Sequence, residues 1–435
     1  MHPNRRGAAS GRLRHRLASV AIASIALVAG ACGATGPSPS ASPSATPSAT
    51  ASAAPTNVVD PKTVYAAIEE QVVGIRGLDP KAPVEPKVLD EAGIKKYVAD
   101  SFAKDNPKDV IDANERLLKA FGLLPEDASL SKLYVDLLGS QVAGLYSPDD
   151  KSLYVVSRSG NLGPAEKTTF AHEFTHALQD QNFDLGALKL DEIGSADRSL
   201  GRLALVEGDA VLSQSAWQTQ FLSQAEIFQL LAQSANDPSS AQLLSMPAVL
   251  RDTLLFPYTT GLTFVSTLQG GGGWAAVDEA YRKPPASTEQ IIHPEKYDTA
   301  EAPIGVKLPS DLAKRMGSGW KVALEDSFGE FQLGVWLRGN TTIGAGVANQ
   351  AAAGWGGDRV VVVHGPNGAW GVALRTVWDT VRDAAEFEAA ALPLVAALGS
   401  PAALLPGPGG PERWVVIGSD DAALNSLAGA LGLAG

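Results

Sequence analysis

Two histidines and a glutamate in the first half of the chain have the residue types and the spacing of a metal-dependent hydrolytic site. His172, Glu173 and His176 form an H-E-x-x-H pattern, and residues four apart lie on one face of a helix, where two imidazoles can bind one metal ion. From its position beside the first histidine, Glu173 can accept a proton from an attacking water without binding the metal. The pattern predicts a zinc hydrolase with one Zn²⁺; the alternative is a pair of histidines in an ordinary core.

A third protein ligand is expected, because catalytic zinc usually has three ligands and one open position. The apolar spacing predicts one helix over residues 164–181, which carries the histidines, and a second over residues 196–221, which carries Glu207. Two antiparallel helices would bring Glu207 beside the histidines, and Gly208 would let their two backbones approach closely. Glu207 is therefore the predicted third ligand, unless it is one more solvated acid.

These residues resemble the gluzincin metallopeptidases, in which H-E-x-x-H is completed by a glutamate on a downstream helix, within an E-G-x-A or an E-x-x-x-D pattern. Glu207, Gly208 and Ala210 match the first form, whereas Val211 stands where the second form has aspartate. The resemblance implies a zincin-like catalytic domain, made of a small β-sheet or hairpin, the H-E-x-x-H helix and the glutamate-bearing helix. It also implies hydrolysis of peptide bonds.

Two further blocks, P-Y-x-x-G at 257–261 and S-T-E-Q-x-x-H-P at 287–294, look like those of a family of uncharacterised bacterial and archaeal metallopeptidase-like proteins. This resemblance covers most of residues 135–380. A peptidase needs a donor opposite the metal to stabilise the developing oxyanion, and Tyr258 or His293 is the predicted donor, held on a loop or a short helix. A structural histidine that caps a turn would explain His293 equally well.

The start of the chain predicts export. Residues 1–31 combine five arginines with an uncharged apolar run, as a signal peptide does. Cys32 follows small residues and is the only cysteine, and the segment resembles the lipobox of bacterial lipoproteins, which implies that Cys32 carries lipid. Ordinary secretion or a retained membrane anchor are the alternatives. Residues 32–57 are then a lipidated tether rich in Ser, Pro, Ala and Thr.

The predicted location is the outer face of the bacterial cell membrane, with the membrane as a partner through the lipid anchor. Loss of residues 1–31, which contain five arginines and no acid, lowers the formal net charge from −12 to −17. A chain with this negative charge is not expected to bind nucleic acid. A peptide or protein substrate is the expected partner.

The rest of the chain predicts two domains with an α+β fold: a catalytic domain over 58–301 and a smaller C-terminal α+β module over 302–435. Residues 64–121 read as amphipathic helices, which form either a wall of the catalytic domain or a removable prosegment. Residues 141–156 predict a β-hairpin, whose edge can pair with a substrate backbone or serve only the core. A second hairpin is predicted over 359–378.

Two functions are consistent with these features. The first is a lipid-anchored zinc metallopeptidase in which the metal and Glu173 activate water. The second is a catalytically inactive surface lipoprotein that uses the zincin fold for binding. Retention of Glu173 between the two histidines favours the first, because an inactive protein needs no base there.

Overall fold

The computed structural model describes residues 22–25, 60–156 and 162–433, and over these residues the chain has a mixed α+β fold. Its strands are β1 (Ile22–Ile25), β2 (Pro86–Leu89), β3 (Val142–Ser147), β4 (Ser152–Val156), β5 (Lys321–Asp326), β6 (Trp355–His364), β7 (Trp370–Trp378), β8 (Ala402–Pro406) and β9 (Glu412–Gly418).

Its helices are α1 (Pro61–Arg76), α2 (Glu91–Asp105), α3 (Lys108–Ala120), α4 (Leu130–Gln141), α5 (Pro164–Phe183), α6 (Ala196–Phe221), α7 (Gln224–Ala235), α8 (Pro238–Ser245), α9 (Ala248–Arg282), α10 (Thr288–Ile292), α11 (Pro294–Asp298), α12 (Leu312–Met316), α13 (Gly329–Leu337), α14 (Ala345–Ala352), α15 (Val381–Ala396) and α16 (Asp421–Leu431). Among the residues described, no helix is both long and apolar enough to cross a lipid bilayer. Cys32 and the predicted tether fall outside those ranges.

The first sheet has the strand order β1-β3-β4-β2. Its central pair, β3 and β4, is antiparallel and confirms the hairpin predicted over 141–156. β2 extends the sheet in parallel to β4, and β1 pairs antiparallel with β3 at the other side. β1 belongs to the segment predicted as a signal peptide, so loss of that segment would free the outer edge of β3.

The second sheet is antiparallel, with the order β5-β6-β7-β9-β8. Its β6–β7 hairpin confirms the one predicted over 359–378. Side chains of α3, α13, α14 and α15 form one core with this sheet, in which Leu117 of α3 joins Val372 and Phe387. The other face packs against α12 and α16. The helical segment ahead of the H-E-x-x-H motif thus shares a core with the C-terminal sheet.

The H-E-x-x-H helix is α5, and its start follows from local sequence. Pro164 occupies the first turn, where its missing N–H costs nothing, and the carboxylate of Glu166 accepts a hydrogen bond from the backbone N–H of Gly163 at 3.1 Å. The helix then runs to Phe183 between the first sheet, α1 and α6. Every residue from Thr169 to Asp180 is buried, polar ones included, as expected for a helix that carries a site inside the domain.

Two glycines let α6 and α9 cross in backbone contact. A Cβ added to Gly208 would lie 2.3 Å from the carbonyl oxygen of Gly261, and one added to Gly261 would lie 2.2 Å from the carbonyl oxygen of Ala204. The close approach predicted for Gly208 therefore exists, but the expected partner was wrong: Gly208 faces α9 and not the H-E-x-x-H helix. The crossing fixes Glu207 of α6 relative to Tyr258 of α9.

Buried carboxylates connect the start of α6 to neighbouring segments. Asp197 accepts a hydrogen bond from the backbone N–H of Thr288 at 3.0 Å, and Asp326 accepts one from the N–H of Ala196 at 2.7 Å. Asp358 accepts from the N–H of Phe328 at 2.8 Å. Burial raises the pKa of Asp197 to about 8 and that of Asp358 to about 6. This region thus contains carboxyl groups that titrate near neutral pH.

Candidate metal centre

The two histidines and the predicted third ligand meet at one point. The Nε2 atoms of His172 and His176 lie 3.1 Å apart, and the nearest carboxylate oxygen of Glu207 lies 3.2 Å from the first and 3.5 Å from the second. All three side chains are buried. Ligands held tetrahedrally at the usual zinc distances lie about 3.3 Å from each other, so this set has the spacing that a zinc ion requires.

The other ring nitrogens face glutamine oxygens, which decides where the imidazole protons lie. His172 Nδ1–H donates to the side-chain oxygen of Gln214 at 3.0 Å, and His176 Nδ1–H donates to that of Gln179 at 2.8 Å. With Nδ1 protonated, each Nε2 presents its lone pair to the centre. Two lone pairs and a carboxylate facing one another repel, and a cation between them removes that repulsion.

The electrostatics of the group favour positive charge. Burial lowers the pKa of His176, but the negative charges of Glu207 and Glu173 raise it more, so the net pKa is above the ordinary value. Burial likewise raises the pKa of Glu207, yet the His176 imidazole beside it brings the net pKa below its usual range. Two imidazoles with one carboxylate are a donor set typical of zinc. The residues present therefore fit the metal that the sequence predicts.

Glu173 lies beside the ligands at the point where α5 meets the first sheet. Its side chain is fully buried, and its charge raises the pKa values of His176 and Tyr258. A Cβ added to Gly144 of β3 would lie 3.3 Å from Cγ of Glu173 and 2.6 Å from Cγ2 of Thr169. The missing side chain of Gly144 thus brings the strand backbone directly against this part of the helix.

Tyr258 joins the group from α9. Its ring stacks on that of His172 with 6.4 Å between centroids, and its hydroxyl is near enough to Glu207 for that side chain to affect its pKa. Burial, followed by the charges of Glu207 and Glu173, raises the pKa of Tyr258 well above its ordinary value, so the hydroxyl remains a donor. The expectation that Tyr258 lies on a loop or short helix was wrong, because it lies in the long first part of α9, which begins at Ala248 and reaches a kink only at Gly272 and Gly273.

The structure brings together His172, Glu173, His176, Glu207 and Tyr258. It places His293 between α10 and α11, where Nε2 hydrogen-bonds to a carboxylate oxygen of Glu330 at 2.9 Å. That hydrogen bond raises the pKa of His293. His293 is thus paired with Glu330 of α13 and not with the predicted metal ligands.

A second acidic group, Glu289 with Glu301 and Asp379, also has metal-like spacing. The ammonium of Lys296 lies within 2.6–3.0 Å of all three carboxylates. A cation from the chain itself thus takes the place that a metal ion would need.

Sequence reasoning missed the two glutamines and the residues behind them. The side-chain nitrogen of Gln179 donates to a carboxylate oxygen of Asp209 at 3.0 Å and to the carbonyl oxygen of Val206, also at 3.0 Å. Spacing offered a signal: Gln179 follows His176 by three residues, and Gln214 follows Glu207 by seven, so each lies on the same helix face as its ligand.

Comparison with known proteins gives one match. Residues 320–425 match a family described as a domain of unknown function (DUF8575). The match covers the second sheet from β5 to β9 and the first turn of α16, and it excludes the candidate metal centre. No curated protein and no solved structure matches the chain.

Proposed function

We propose that the chain is a zinc-dependent peptidase with a zincin-like catalytic domain, attached by lipid on Cys32 to the outer face of the bacterial cell membrane. The observation that carries this proposal is the convergence of both histidine Nε2 atoms and the Glu207 carboxylate at 3.1–3.5 Å, with Glu173 and Tyr258 beside them. A metal site alone would need neither a second carboxylate nor a tyrosine donor.

Each side chain of the site has a separate role in the proposed hydrolysis. His172, His176 and Glu207 would hold the zinc, which when bound polarises a carbonyl oxygen and makes water a better nucleophile at neutral pH. Glu173 accepts the proton of the attacking water and later delivers a proton to the leaving amine. Tyr258, a donor held protonated by its buried surroundings, donates a hydrogen bond to the oxygen that becomes negative as the carbonyl is attacked.

The first sheet supports a peptide as the substrate. β3 passes against Glu173 at Gly144, and its outer edge is paired by the backbone of β1 in antiparallel register, with Ile22 opposite Tyr146 and Ile25 opposite Val142. Loss of the predicted signal peptide would leave this edge for another extended chain. A substrate bound there by backbone hydrogen bonds would pass beside Glu173 whatever its side chains.

A second function is favoured by one observation: the ligands and Glu173 are at most 1% exposed. A centre closed to solvent is what a structural metal site has, and it suits a binding lipoprotein that performs no chemistry. As a peptidase, the protein must instead open a path to these side chains before a substrate can reach them.

Glu173→Gln separates the two functions. The variant keeps the size and shape of the side chain but cannot take a proton, so it should retain zinc and fold while losing chelator-sensitive cleavage of casein or of a peptide library. Zinc content by elemental analysis is the control. A wild-type protein with a full complement of zinc and no such cleavage would favour the binding lipoprotein, and less than half a zinc per chain would reject the metal assignment.

A further inference from the structure

We propose that Arg76, at the end of α1, is a positioning residue for the metal centre. It acts through Asp209 and Gln179 on His176. The proposal rests on the proposed function insofar as it takes the centre to bind zinc. It assigns a role to the first described helix, which lies about 100 residues ahead of the ligands in sequence.

The chain of contacts is continuous and buried. Arg76 Nε donates to Oδ1 of Asp209 at 2.7 Å, and Oδ2 of Asp209 accepts from Gln179 Nε2 at 3.0 Å. Gln179 Oε1 accepts from His176 Nδ1–H at 2.8 Å. The side chains of Arg76 and Asp209 are 0% exposed, so water does not screen these interactions.

These contacts fix the orientation of the Gln179 amide as well as its position. Gln179 Nε2 faces the Asp209 carboxylate and the carbonyl oxygen of Val206, and both only accept. The Gln179 amide therefore cannot rotate to exchange its oxygen and nitrogen, and its oxygen must face His176. This places the proton on Nδ1 and leaves Nε2 free to bind the metal.

Arg76 holds in place the Asp209 carboxylate, on which the orientation of the Gln179 amide depends. Its Nε holds one oxygen of Asp209, while Nη2 donates to Asp278 at 2.7 Å and the guanidinium stacks over Trp274 at 4.6 Å. Tyr281 donates to the second oxygen of Asp209 at 2.8 Å. Without Arg76, Asp209 would be a buried charge with no opposite charge beside it, and it would move or draw in water. Gln179 would then lose one of its two acceptors.

The test compares Arg76→Met with a control on the same helix, Val72→Ala, using the full chain and zinc alone. Val72 is also buried, but it packs in the apolar core with Phe170 and Phe174. The zinc dissociation constant is measured by competition with a chromogenic chelator, and the melting temperature of the metal-free protein is measured alongside. We expect Arg76→Met to bind zinc about 10–100-fold more weakly, and Val72→Ala to lose melting temperature but to stay within about threefold of wild type.

A second pair of variants keeps the inference testable if Arg76→Met does not fold. Asp209→Asn has one oxygen for the three donors Arg76, Gln179 and Tyr281, so it should weaken zinc binding at least tenfold. The double variant Arg76→Met with Asp209→Asn presents that oxygen to Gln179 and leaves no unpaired charge at position 209, while Asp278, which also loses Arg76, keeps a side chain 24% exposed to water. It should therefore bind zinc more tightly than either single variant.

Three results would overturn the inference: wild-type affinity in both Arg76→Met and Asp209→Asn, an equal loss of affinity in Val72→Ala, or no recovery in the double variant. A wild-type protein that binds no zinc would reject the proposed metal centre, and this inference would fall with it.

Discussion

Replacement of Gly208 by alanine should separate the two helices that carry Glu207 and Tyr258. The added Cβ would lie 2.3 Å from the carbonyl oxygen of Gly261 and 2.9 Å from the backbone nitrogen of Leu262. Both atoms belong to the backbone of α9, so no side chain can rotate away. Ordinary contacts begin near 3.5 Å, and the helix axes must therefore move apart by about 1 Å at the crossing.

The expected cost follows from that displacement. Overpacking in a well-packed core costs about 1–3 kcal/mol, and contact with a backbone belongs at the upper end of this range. Alanine is better than glycine in a helix by up to about 1 kcal/mol, which offsets part of the cost. The remaining destabilisation, about 1–2 kcal/mol, corresponds to a melting temperature lower by about 2–8 °C.

Gly270→Ala is the matched control, because Gly270 lies on α9 and a Cβ there would meet nothing within 4 Å. Differential scanning calorimetry should show its melting temperature unchanged or raised, while Gly208→Ala is lowered. Glu207 moves with α6, so Gly208→Ala should also weaken zinc binding. Equal melting temperatures for the two variants would refute the role given to the helix crossing.

Three further predictions concern chemistry, pH and location. Tyr258→Phe should lower kcat for peptide cleavage about a hundredfold with zinc content and KM little changed; a loss near tenfold together with a lower melting temperature would instead indicate packing. Burial raises the pKa of Asp197 to about 8, against about 3.9 in the unfolded chain. Between these values the folded protein holds a proton that the unfolded chain releases, so stability falls as the pH rises from about 4 to about 8. Asp197→Asn has no proton to lose, so its melting temperature should improve relative to wild type between pH 5 and pH 8, and a constant difference would contradict this assignment. Wild-type protein should partition into membrane and detergent fractions while Cys32→Ser does not; recovery of an unmodified Cys32 would argue against the anchor.

Local sequence signals were enough to predict the two helices of the centre. Pro164 and the apolar spacing gave the start of α5, and the helix predicted over 196–221 has the bounds of α6. The β3–β4 hairpin was equally visible, since two mostly apolar runs flank a turn rich in Ser, Pro and Asp. Each of these depends on neighbours within a few residues, which is the range over which propensity acts.

Features that depend on distant parts of the chain could not be predicted in this way. The Pro and Gly neighbours of Tyr258 suggested a loop or short helix, yet Pro257 lies inside the long first part of α9, which packs on α6, because tertiary contacts outweigh the local cost of proline. Gly208 could be read as a site of close approach, but nothing local identifies Gly261 as its partner. Arg76 carries no signal at all until Asp209 is placed beside it.

The burial of the three predicted ligands limits when a metal ion can reach them. Side chains that are at most 1% exposed cannot exchange an ion with the medium while α5, α6 and α9 remain packed together. If the proposed metal centre binds zinc, the rate of metal uptake and loss would be set by how often that packing opens, and not by the chemistry of the ligands. The ion would have to arrive before or while the helices close, so the concentration of zinc in the compartment where the chain folds would decide which molecules acquire the metal.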